Sequence, residues 1–154
     1  MGALDGDDSQ FFSLRVSTDA DYPLALATMN FPEHLQYTAE HEWVLSDGDT
    51  ATMGITDYAQ DALGDVVFVG LPELGRSVAV GDSIAEVEST KSVSDIFAPV
   101  AGVIAEVNGE LNTRPELLNS DPYGEGWICR ITVAANTTEQ LLDLEAYRKL
   151  LHSE

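Results

Sequence analysis

From about residue 36 onward the chain reads as short apolar, β-branched runs broken at close intervals by Gly, Pro and Asp. Residues 43–46 and 50–55 flank Asp47-Gly48-Asp49, a spacing that predicts a tight β-hairpin. Thr56 is placed to cap a short helix over residues 57–63, and Gly64 to stop it. Residues 65–71 form a dense run (Val66, Val67, Phe68, Val69) closed by Pro72, the pattern of a buried strand. Strands follow at 77–80, 83–88, 92–98 and 102–107, separated by turn residues. Thr113 with Glu116, and Pro115 between them, predicts a capped helix through Leu118. Residues 119–126 read as a turn-rich link and 127–133 as a last strand. Thr137 with Gln140 then predicts an amphipathic helix that buries Leu141, Leu144, Tyr147 and Leu151, with Lys149 in its last turn. The expected architecture is mainly β, a two-sheet sandwich or barrel with short peripheral helices and a C-terminal helix.

Charge and composition narrow the function classes. The 154 residues hold 27 acids against 7 bases, a formal net charge of −20. Nucleic acid and anionic membrane surfaces both require clustered Lys and Arg, so neither is an expected partner. No apolar run approaches the 18 residues of a membrane span, and the expected protein is soluble. Cys129 is the single cysteine, so no internal disulfide can form; alternating with Trp127 and Ile131, it reads as a small core residue. His34, His41 and His152 have no ligand spacing with it, and no metal is expected. Trp43 and Trp127 read as core anchors, and Gly102 as the turn leaving a hairpin.

Residues 1–28 differ from the rest. They carry Asp5, Asp7, Asp8, Asp19 and Asp21 against Arg15, unlike an Arg-rich transit peptide, and lack the basic start and apolar run of a secretory signal. Gly6 stands where myristoylation requires Ser or Thr. We expect residues 1–28 to be a poorly ordered extension, with 11–16 as a strand candidate and Met29 as a second start. Residues 29–154 are the expected domain, and they hold most of the acidity.

The chain has two lysines. Lys149 lies on the expected terminal helix. Lys91, in Glu88-Ser89-Thr90-Lys91-Ser92, falls between two predicted strands, at or near a hairpin tip. A protruding amine suits a covalently attached arm such as lipoate or biotin, because the attaching enzyme must reach it. By itself, a lysine on an exposed turn is also ordinary surface chemistry. A Schiff-base role fits poorly, since neighbouring acids favour the protonated amine.

The runs YTAEHEWV (residues 37–44), GITDYAQDALGDVVFVGLPELG (54–75), EVESTKSVSDIFAPVAGVIAEVN (86–108) and LLNSDPYGEGW (117–127) together resemble the H-protein family of the glycine cleavage system. The resemblance spans about residues 33–151. It implies a barrel-sandwich hybrid fold of the lipoyl/biotinyl type and lipoate in amide linkage on Lys91. It further implies a carrier without catalytic residues. The aminomethyl group of glycine would pass from glycine decarboxylase to a tetrahydrofolate-dependent aminomethyltransferase, and dihydrolipoamide dehydrogenase would reoxidise the arm. A lipoate ligase, or a lipoyl or octanoyl transferase, would load it. Delivery of lipoate to other lipoyl domains is a further role known in the family. Glu42 and Asp95 match the family's acidic contacts to the loaded arm, while Glu40 stands where some relatives have Ser and Ala62 where plant-type members have His. A bacterial cytoplasmic monomer is expected. Biotin carriers flank their lysine with methionines, whereas Met1, Met29 and Met53 lie far from Lys91. Lipoyl domains of 2-oxoacid dehydrogenases lack the EHEW hairpin and the terminal helix.

Overall fold

A computed structural model describes residues 26, 28–134, 138 and 140–153. Two compact units divide the chain: Met1–Met29 with Arg148–Glu154, and Asn30–Tyr147. In the first, Leu26 and Leu151 are buried. The possible strand at 11–16 and the Thr137 cap lie outside the described residues.

Among the described residues, the second unit holds nine strands: β1 (Gln36–Tyr37), β2 (Glu42–Asp47), β3 (Thr50–Ile55), β4 (Val66–Gly70), β5 (Ser77–Val78), β6 (Ser83–Ser89), β7 (Val93–Phe97), β8 (Gly102–Val107) and β9 (Cys129–Val133). They form a six-stranded sheet in the order β1-β2-β3-β9-β8-β5 and a three-stranded sheet β4-β6-β7, each neighbouring pair antiparallel. Both sheets turn apolar side chains into one core. Val44, Met53, Ile104 and Ile131 come from the larger sheet and Val69, Val87 and Ile96 from the smaller. Alternation with period two is what lets each strand serve that core. The mainly β, two-sheet architecture expected from the sequence is the one observed.

The helices follow the expectation less closely. Helix α1 (Asp57–Leu63) is capped as read: Thr56 Oγ1 accepts from Ala59 N at 3.2 Å, and Gly64 ends it at φ 81°. The Thr113 capping box does not form. Asn108 instead caps a 3₁₀ turn, Gly109–Asn112, which Thr113 closes, so helix α2 (Leu117–Ser120) starts later. Asn108 wins because its amide also donates to Glu125 O (2.7 Å) and Trp127 O (2.8 Å), tertiary bonds that a local pattern does not contain. Helix α3 (Leu144–Ser153) begins after Leu141, with Asp143 Oδ1 accepting from Ala146 N. Leu144 is half-buried and Tyr147 fully buried, while Lys149 sits before the last turn, which holds His152.

Three smaller expectations also change. The 65–71 run is not buried throughout: a register shift in β4 leaves Val67 55% and Phe68 49% exposed while Val66 and Val69 stay inside. Trp43 is a buried anchor, its Nε1 donating to Pro122 O at 2.9 Å, but Trp127 is half-exposed under the Arg130 guanidinium, 4.1 Å from its ring centre. Gly102 opens β8 rather than a turn, and a Cβ there would strike the Thr132 carbonyl of β9. Cys129 is buried, as read, and burial pushes its thiol up to about 12.

Candidate functional site

Lys91 stands on the turn that joins β6 to β7. The turn closes on itself: Ser89 N donates to Ser92 O (2.8 Å), and Ser89 Oγ accepts from Lys91 N and Ser92 N, both at 3.1 Å. One serine side chain therefore satisfies two backbone donors that would otherwise point at water, which fixes the tip without burying it. Thr90, Lys91 and Ser92 are all exposed.

The tip is braced from one side. Thr90 N donates to Asp65 O at 3.0 Å, tying it to the segment between α1 and β4. That segment is held by Asn119 of α2, whose Nδ2 donates to Gly64 O (2.8 Å) and Gln60 Oε1 (3.0 Å) and whose Oδ1 accepts from Val66 N (2.9 Å). The aliphatic stem of Lys91 crosses Gly64, where a Cβ would lie 2.8 Å from its Cε. Sequence reading missed Asn119 because its partners lie more than fifty residues away; the run LLNSDPYGEGW was the available signal.

Glu42 is at the start of β2, after the turn at residues 38–41. It is only 2% exposed, so it is not the surface acid that a charged run such as EHEW suggests. Thr38 Oγ1 donates to its Oε1 at 2.5 Å and Phe97 N to its Oε2 at 3.3 Å. Both bonds favour the carboxylate, yet burial outweighs them and, with repulsion from Glu40, raises the Glu42 carboxyl to about 7. Asp95 lies on β7 two residues before Phe97, roughly 7 Å along the strand by ordinary strand rise. It is exposed and pairs in register with Glu86 of β6. The sequence-matched residues thus share β7 or its attachments: Lys91 precedes the strand, Asp95 projects from it, and Glu42 binds its last amide.

These observations can now be set beside known proteins. The family Glycine cleavage H-protein matches residues 35–154. This chain belongs to that family. Among its relatives, the glycine cleavage system H protein of Mycolicibacterium smegmatis is 58% identical over 125 residues, covering 78% of this chain and 95% of that protein. A Thermus thermophilus glycine cleavage system H protein is 57% identical over 127 residues, covering 82% and 99%. The crystal structure of a glycine cleavage system H protein from Mycobacterium marinum aligns with a TM-score of 0.71 at 42% identity, over 77% of this chain and 97% of that one. The family resemblance read from the four sequence runs is therefore established, and the fold agrees with it. Among the described residues no helix is long and apolar enough to cross a membrane, and no group of three His, Cys, Asp or Glu could hold a metal ion.

Proposed function

We propose that this chain is the lipoyl carrier of glycine cleavage in a bacterial cytoplasm, itself non-catalytic, with lipoate in amide linkage on Lys91. On this reading it carries the aminomethyl group of glycine from glycine decarboxylase to the aminomethyltransferase and is reoxidised by dihydrolipoamide dehydrogenase. The observation that carries the proposal is the Lys91 turn: an exposed amine on a tip ordered by Ser89 and braced on Asp65. The residues fit the group, because acylation needs a reachable Nζ on a fixed backbone and gives up nothing buried. The bound lipoyl group supplies a disulfide that opens to take up the one-carbon unit, on a tether long enough to visit separate enzymes.

The protein's own contribution lies in what it offers the cargo. An aminomethyl unit ends in an amine that is cationic at neutral pH, and Asp95 and Glu42 are its acidic contacts. Asp95, exposed, gives a charge-assisted hydrogen bond at the surface. Glu42, buried, sits where a carboxylate and an ammonium attract each other more strongly than in water. Arrival of the cation favours the ionised Glu42 and displaces its proton. Glu42 is 2% exposed, so a cargo amine paired with it would be shielded from water, which slows hydrolysis of the cargo carbon. The net charge of −20 steers basic faces of the partner enzymes toward the domain, so transfer rates fall as ionic strength rises.

Lys91→Arg tests the proposal: it keeps the charge but cannot be acylated, so lipoylation and reconstituted glycine cleavage should vanish with the fold intact. Full activity in that variant would overturn it. For the acidic contacts, Glu42→Gln and Asp95→Asn should leave lipoylation unchanged and speed ammonia release from the isolated loaded protein. Unchanged release in both would remove the acidic-contact role and leave the carrier role standing.

A further inference from the structure

His41, next to Glu42, adopts φ 73°, the one positive value on a non-glycine residue among those described. The left-handed region is uncommon for a residue with a side chain, so surrounding structure must hold it there. The hold is visible. His41 N donates to Thr38 O (3.1 Å), and His41 O accepts from Thr56 N (3.0 Å). Its ring lies 4.6 Å from that of Tyr58, and its Nδ1 is 2.9 Å from Tyr147 Oη. The same phenol oxygen lies 2.9 Å from Thr56 Oγ1, the cap of α1.

Tyr147 is fully buried, stacked on Tyr37 at 4.6 Å with rings nearly parallel and meeting Phe31 edge-on at 5.6 Å. Those packing contacts involve the ring alone, and a phenylalanine would supply them. A hydroxyl in such a place must be satisfied by hydrogen bonds, and its partners here are the strained His41 and the Thr56 cap. Tyr37 and Glu42 bound the His41 turn on its two sides; the phenol oxygen joins that turn to the helix cap, while the Tyr147 ring stacks on Tyr37 of β1.

We propose that Tyr147 is a positioning residue whose hydroxyl fixes the left-handed His41 turn and so the depth at which Glu42 is presented to the cationic cargo. The inference rests on the reading of Glu42 given above but makes its own demand on the unloaded protein. The groups facing the Glu42 carboxyl are Thr38 Oγ1 and the Phe97 amide, with Glu40 the neighbouring charge. Loosening the turn admits water to this set without removing any member of it.

The test uses full-length protein with an unmodified Lys91. Carboxyl carbon NMR follows the titration of Glu42, and amide exchange follows Thr56 and Phe97, in Tyr147→Phe and in His41→Asn. Asparagine tolerates the left-handed conformation, so the second variant keeps the test alive if the first does not fold. We expect the Glu42 midpoint to fall from about 7 toward the ordinary 4.5 and both amides to exchange faster. In lipoylated, loaded protein, ammonia release should accelerate by about three- to tenfold, the effect of one net hydrogen bond. Variants that melt earlier but leave the midpoint and both amides unchanged would overturn the inference, since Tyr147 would then be ordinary packing. Glu42→Gln separates the two readings. If it leaves ammonia release unchanged while Tyr147→Phe still moves the midpoint, the reading of Glu42 as a cargo contact fails and the positioning stands. If it accelerates release while Tyr147→Phe moves nothing, the reverse holds.

Discussion

Two four-residue hairpin turns, at residues 89–92 and 38–41, lie at opposite extremes of the same physics. The first is exposed, satisfied by a serine hydroxyl, and presents a lysine side chain to solvent. The second leads into a buried carboxyl and holds a histidine in the left-handed region through one bond within the turn and bonds to two other elements, the Thr56 cap and Tyr147. The contrast fits the opposite needs of the two proposed roles. A residue that another enzyme must modify has to be accessible and inexpensive to present. A carboxyl that is buried before a cation arrives, as Glu42 is, costs stability in the empty state.

That difference gives variants graded effects. The largest concerns Glu42. Its carboxyl is raised from 4.5 to about 7, so between those pH values the folded state holds a proton that the unfolded state has released. Stability therefore falls as pH rises through this window, by on the order of 3 kcal/mol once Glu42 is ionised. Glu42→Gln removes the penalty: urea unfolding should show the variant more stable than the parent at pH 8, with the gap closing toward pH 4.5. A pH-independent gap would mean that Glu42 ionises normally.

Asn119→Ala should come next. It strips three hydrogen bonds from the segment behind the lysine turn and should cost about 1–3 kcal/mol. Acylation of Lys91 by a lipoate ligase should slow while Lys91 stays exposed. Equal rates would show that the brace is structural only.

The smallest effect should come from Ser89→Ala, about 0.5–1.5 kcal/mol, because water replaces the lost hydroxyl at an exposed tip. Amide exchange at Lys91 and Ser92 would report the loosened turn even where the melting curve barely moves.

How far the sequence could be read depended on how local each determinant was. The hairpin at Gly48, the Thr56 cap and the strand alternation are written within a few residues, and the structure reproduces them. Lys91 was legible as a tip residue for the same reason. The burial of Glu42 was not: in EHEW it looks like one acid among several, and one of its hydrogen-bond partners, the Phe97 amide, lies fifty-five residues on. Asn108 overrode the expected Thr113 cap through bonds to Glu125 and Trp127, and Asn119 braces Gly64 from fifty-five residues away. Val67 and Phe68 read as core because four apolar residues in a row conceal a bulge. Long-range polar partners and register shifts leave no periodic trace, and most of the candidate site is made of them.

Lys91 is the proposed bearer of the arm. Intact mass followed by peptide mapping across residues 86–97, on protein co-expressed with a lipoate ligase, tests it most directly. One lipoyl amide is expected, on Lys91 and not on Lys149. A Lys91 that stays free under those conditions, or a modification on Lys149 alone, would contradict it.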